Sequence, residues 1–88
     1  MNVVAAAAGG TRQWQGGVMV PVPMAELFAI AARQERNGNL TEAERLLRYI
    51  LAVAPEQPDA LHLAGIVAFR LGRPDEALAK MEQAIAFG

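Results

Sequence analysis

Few side chains in this sequence could do chemistry. The single histidine, His62, follows Asp59 by three residues, so on a helix the imidazole and the carboxylate share a face, the smallest pair from which acid–base work could start. Nothing extends that pair. There is no second histidine and no cysteine, which removes His-His and HExxH metal sites, thiolate nucleophiles, cysteine zinc sites and disulfides. His62 therefore reads as a partly exposed polar residue, and the sequence predicts no catalytic residue, no cofactor and no metal.

Three short motifs reduce to structural punctuation in the same way. Asn39-Leu40-Thr41 has N-glycosylation spacing, but Met1-Asn2-Val3-Val4 lacks the basic start of a secretory signal and the apolar run stops at Gly9. The motif reads instead as a turn and a helix cap, and the missing leader leads us to expect a cytoplasmic chain. Pro55-Glu56-Gln57-Pro58 matches PxxP, yet one proline suits the end of a helix and the other the start of the next. Gly9-Gly10 and Gly16-Gly17 lack the Lys-Ser/Thr and following helix of a phosphate loop.

Composition narrows the partner class. The 88 residues carry 8 basic and 9 acidic side chains, a formal net charge of -1, which offers no basic excess for nucleic acid or an anionic membrane surface. No apolar run approaches the 18 or more residues of a membrane span. Hydrophobic residues make up 53%, but 18 of the 88 are alanine, a strong helix former that buries little area. One small domain of closely packed helices is expected, and with aromatic residues at only 6% no base-stacking platform is available.

Residues 1–23 differ from the rest, with Arg12 as the one charged side chain, two Gly-Gly pairs, the alanine run Ala5 to Ala8, and Pro21-Val22-Pro23. A flexible or extended segment is expected. The alternative is a hairpin about Gly16-Gly17, and if the segment orders, Trp14 with Val18 and Met19 has the area to dock on the helices.

From Met24 onward apolar residues fall at helical spacing: Leu27, Ile30 and Ala31 on a first helix, then Leu40, Ala43, Leu47, Ile50 and Leu51 on a second. Asn37-Gly38-Asn39 separates them, Thr41 with Glu44 has capping-box spacing, Asn39 is the alternative cap, and Glu44 with Arg48 forms a supportive pair. Pro55 ends that helix. Pro58 opens a third helix to about Leu71, where Gly72 is free to take a positive φ, and Pro74 opens a fourth carrying the pair Glu76 and Lys80.

A shift of 34 residues lays Leu27 on Leu61, Arg36 on Arg70, Gly38 on Gly72, Glu42 on Glu76, Ala43 on Ala77 and Ala52 on Ala86. The chain thus holds two helix-turn-helix units, 24–57 and 58–88. The second unit, with Leu61, Ala64, Gly65 and Ala68, then Gly72, Ala77, Met81 and Ala84, resembles the tetratricopeptide repeat, and the first matches through Leu27, Ile30, Ala31, Gly38, Ala43, Leu47 and Pro55. It departs where Gln34 replaces the usual tyrosine and Ile50 the usual alanine. The resemblance implies an all-α fold of four antiparallel helices, a short α-solenoid.

It also implies a concave groove lined by the first helix of each unit. By that analogy the groove side chains are Ala25, Phe28, Ala32 and Glu35 with Asp59, His62, Ile66 and Phe69. The Lys, Asn and Arg of a carboxylate clamp are missing, and Phe28, Ile66 and Phe69 suit an apolar or amphipathic protein segment, the alternative being that they pack on one another or on residues 14–22. Repeats bury their faces only against neighbours, so Leu78, Met81 and Ile85 of the last helix are expected at an open, uncapped end.

The expected function is a non-enzymatic protein-binding module acting through that groove or end. Two contexts follow. The chain is either part of a longer repeat protein, and the wording from Asp59 to Ala77 looks like bacterial repeat arrays that precede glycosyltransferase or sulfotransferase domains, or a complete adaptor that covers its end as a homodimer.

Overall fold

The structure, a computed structural model, describes residues 11–15 and 18–88, with side-chain environments from residue 23 onward. Two short strands precede four helices: β1 Thr11–Gln15, β2 Val18–Val22, α1 Met24–Arg36, α2 Leu40–Val53, α3 Pro58–Arg70 and α4 Pro74–Phe87. β1 and β2 pair antiparallel from Thr11 opposite Val22 to Gln15 opposite Val18, the hairpin that the Gly16-Gly17 spacing allows. Residues 1–10 and the Trp14 docking expectation lie outside the described residues and side chains.

All four helix boundaries obey the 34-residue offset. α1 and α3 start at Met24 and Pro58 and end at Arg36 and Arg70, while α2 and α4 run from Leu40 and Pro74 to Val53 and Phe87. The turns repeat as closely, because Gly38 and Gly72 have φ of 85° and 82°, the left-handed region that a side chain disfavours. In each turn the helix carbonyls are closed the same way: Gly38 N–H donates to Glu35 O and Asn39 N–H to Gln34 O, just as Gly72 donates to Phe69 and Arg73 to Ala68. One glycine per unit therefore reverses the chain and satisfies the helix end.

Two capping expectations need correction. Thr41 lies inside α2 and closes no capping box with Glu44; Asn39 occupies the cap position, but its amide donates to Gln34 Oε1 at 2.7 Å and makes no cap bond to α2. Glu44 is drawn away to arginines, as described below. At α3 the cap is Gln57, whose side chain accepts from the Asp59 N–H at 3.1 Å ahead of Pro58 in the first turn.

The core is one cluster from three helices: Leu27 and Ala31 of α1, Ala43, Leu47 and Ile50 of α2, and Ala60, Leu63 and Val67 of α3. Ala31, Ala43 and Ala60 are wholly buried, which lets the helix axes approach closely while the leucines fill the space between. α3 is apolar on a second face as well. Leu61, Gly65 and Ala68 share that face, all buried, and Gly65 lies against Ala77 and Met81 of α4. α3 is thus the shared wall, with unit one on one flank and α4 on the other.

Candidate functional site

The two units are tied by ion pairs between residues far apart in sequence. Arg70 at the end of α3 donates through one guanidinium nitrogen to Glu35 Oε2 and to the Glu35 carbonyl, each at 2.6 Å, which sets a cation on the C-terminal end of α1. Arg73, at the start of α4, pairs with Glu44 of α2 and stands 3.9 Å from Glu76. Arg48 adds its expected pair to Glu44 at 3.3 Å. The pair expected between Glu76 and Lys80 does not form; Glu76 instead stands 3.9 Å from Arg73.

These bonds sort the expected site residues. Glu35 is committed to Arg70, so it acts as a strut within the fold. Phe28, Ala32 and Ile66 are half-buried and packed onto the core, so they form a floor between α1 and α3. Asp59 and His62 are exposed, and Phe69 is 67% exposed. On α4, Leu78 is 60% and Ile85 80% exposed, whereas Met81 is half-buried over Gly65. Residues singled out from the sequence as one groove therefore occupy three settings: strut, floor and open surface.

One cleft went unforeseen. It lies between α2 and α4, floored by Leu47, Leu51 and Val67 and edged by Arg48 and Lys80. Its signal was in the sequence: Glu44, Leu47 and Leu51 share a stripe of α2, but only the packing of α3 shows which part stays open. Among the described residues no group of three or more His, Cys, Asp or Glu is placed to hold a metal ion, and no helix is long and apolar enough to cross a membrane.

Removing the Arg70 strut tests this account of the seam. Arg70→Ala is expected to lower stability by about 1 kcal/mol, the usual scale for a charged hydrogen bond of partly exposed groups. Urea titration reads the loss, and Glu35→Gln in the same background should add little further, since both changes remove one interaction.

Helix pairs repeated at a fixed offset, joined by glycine turns and stacked through a shared wall, define a helical repeat solenoid. A family model described as tetratricopeptide repeat matches residues 36–87, more than half of the chain, and the protein belongs to that family. The match takes in α2, α3 and α4, and the equal boundaries of α1 and α3 carry the repeat back to Met24. No curated protein and no solved structure matches the chain. Repeats of this family are generally non-enzymatic protein-interaction units, and the chain is a helical module built from such repeats.

Proposed function

We propose that the chain binds a peptide, a helix or a partner domain through the apolar side chains it leaves uncovered on α3 and α4. The observation that carries this reading is the exposure of Phe69, Leu78 and Ile85 at 67%, 60% and 80%: folding does not use these side chains, and water exposes them at a cost that a partner's apolar surface removes. Phe28, Ala32 and Ile66 supply a half-buried apolar floor beside them, with Asp59, His62 and Glu35 as its polar neighbours. A net charge of -1 favours a protein partner over nucleic acid or a membrane surface, in the cytoplasm. The reading holds for the chain alone or for the repeat part of a longer protein, including one of the glycosyltransferase or sulfotransferase context that the sequence likeness implies.

Selection of displayed helical and extended peptides against the full chain tests the proposal. Selected ligands should lose at least tenfold in affinity with Phe69→Ala while the melting temperature of the chain stays within about 2 °C, because a side chain this exposed contributes little to folding. An equal loss of stability would make Phe69 a core residue and overturn its binding role. The competing reading is a homodimer that buries Leu78, Met81 and Ile85. Light scattering across a concentration series separates the two, since a dimer of constant mass would make these residues a self-association surface.

A further inference from the structure

The cleft between α2 and α4 is built wholly from residues inside the two units. Leu47 and Leu51 of α2 with Ala64 and Val67 of α3 form its floor, and Arg48 and Lys80 stand at opposite edges. At about 3.6 residues per turn, Ala64 and Val67 lie on the other side of α3 from His62, Ile66 and Phe69. The cleft is therefore a second surface, separate from the apolar side chains considered above.

Its shape suits a chain passing along it. The volume is about 340 Å³, at the small end of ligand sites, with α3 as floor, α2 and α4 as walls and a fourth side open to solvent. Leu51 and Lys80 also line a second depression, which continues past Leu61 to Pro55 and Glu56. From Glu44 to Pro55 the track is about 15 Å long, the span of about four or five residues of extended chain.

Charge selects the occupant. Glu44 and Glu76 reach the cleft, but Glu44 is bonded by Arg73 and Arg48, and Glu76 stands 3.9 Å from Arg73. Lys80, the only lysine of the sequence, is half-buried beside the floor, and no carboxylate of the described residues pairs with it. Residues 1–22 hold no Asp or Glu that could do so. A half-buried ammonium gives up hydration that a carboxylate partner would replace. Arg48 is available as well, because the Glu44 carboxylate it meets at 3.3 Å is already held by Arg73. Glu56, at the far end of the track, repels an anion and so confines it to the space between Arg48 and Lys80.

We infer that this cleft binds an extended acidic segment of a partner protein, an apolar side chain resting on the floor and an Asp or Glu carboxylate between Arg48 and Lys80. Residues two apart on an extended chain point the same way, so the recognised pattern is an apolar residue, any residue, then an acidic one. The inference takes a protein as occupant from the interaction reading above and adds a second site to it.

The probe is the blocked peptide acetyl-Ser-Leu-Ser-Glu-Ser-amide, whose ends carry no charge, titrated into the full chain and followed by amide chemical shifts. Saturable shifts are expected at Leu51, Val67 and Lys80. Gln in place of the peptide's Glu, or Lys80→Gln in the chain, should weaken binding about fivefold, and Lys80→Arg should keep it. Ala52→Glu, at an exposed position of the rim, should weaken it too by setting a carboxylate against the peptide's own. Circular dichroism verifies that each variant folds. Unchanged affinity after either charge removal overturns the recognition of a carboxylate, and the proposal with it. Shifts confined to Phe28, Ile66 and Phe69 overturn the cleft site and leave the interaction reading standing. Absence of saturable binding overturns the cleft site as well, and the interaction reading falls only if peptide selection also fails. Octanoate binding in the cleft at least as tightly as the peptide would make a free aliphatic carboxylate the occupant and overturn the protein segment.

Discussion

Leu47→Ala is expected to cost about 3 kcal/mol, within the range for removing most of a buried leucine from a packed core. Leu47 is 1% exposed at the centre of the cluster built from α1, α2 and α3, so the cavity it leaves is bounded by three helices that cannot all close in. A chain of this length has on the order of 5–10 kcal/mol of stability, and the variant should lose roughly a third to somewhat over half of that. Urea titration followed by helical circular dichroism reads the change. Its repeat counterpart provides an internal control: Met81→Ala removes a half-buried side chain from an unstacked unit and should cost less than half as much. Equal losses at the two positions would show that α4 is covered as fully as α2.

That comparison marks the boundary of what the sequence made legible. The helices, both glycine turns and the pairing of Leu27 with Leu61 or Ala43 with Ala77 followed from spacing, because a repeat is a local pattern written twice. Which copy is buried is not local. Leu51 and Ile85 fill equivalent positions and have similar side chains, yet Leu51 is packed against the core and Ile85 is 80% exposed, a difference set by what stacks beyond each helix. The struts were hidden for a related reason. Arg70 and Glu35 are 35 residues apart, and their meeting depends on how α3 lies against α1, which neither residue's neighbours specify. Glu44 had two sequence-based partners in view, Thr41 through a capping box and Arg48 four residues on. The winning arrangement added Arg73, a cation delivered by the turn of the other unit.

The site residues show the same division. That Phe28, Ile66 and Phe69 are apolar and lie at helical spacing was plain, and it suited either core or surface. The packed helices separate them, because Phe28 and Ile66 face the α1 and α3 seam while Phe69, one residue before Arg70, is 67% exposed on a flank that none of the described helices covers. A sequence pattern assigns residues to a face of a helix, and only the neighbouring helix decides whether that face is floor or surface.

Gly65→Val tests the close approach of α3 to α4 and should be the second severe change. A Cβ at position 65 would meet Met81 Cγ and Cε at 3.0 Å and the Ala77 carbonyl oxygen at 3.2 Å. The methionine can swing aside, but the carbonyl belongs to the backbone of α4 and cannot move without the helix. Alanine gains about 1 kcal/mol of helix propensity over glycine, which offsets part of this crowding, whereas valine adds two methyl groups against the same wall and is a poorer helix former. Valine should therefore cost about 3 kcal/mol and loosen α4 from α3, seen as faster amide exchange across Ala77–Ile85 with α1 and α2 less affected. Adding Met81→Ala separates the two obstacles. If it restores most of the lost stability, the flexible side chain set the limit; if it restores little, the Ala77 carbonyl did, and Gly65 is required by the spacing of two helix backbones, as the 3.2 Å contact implies.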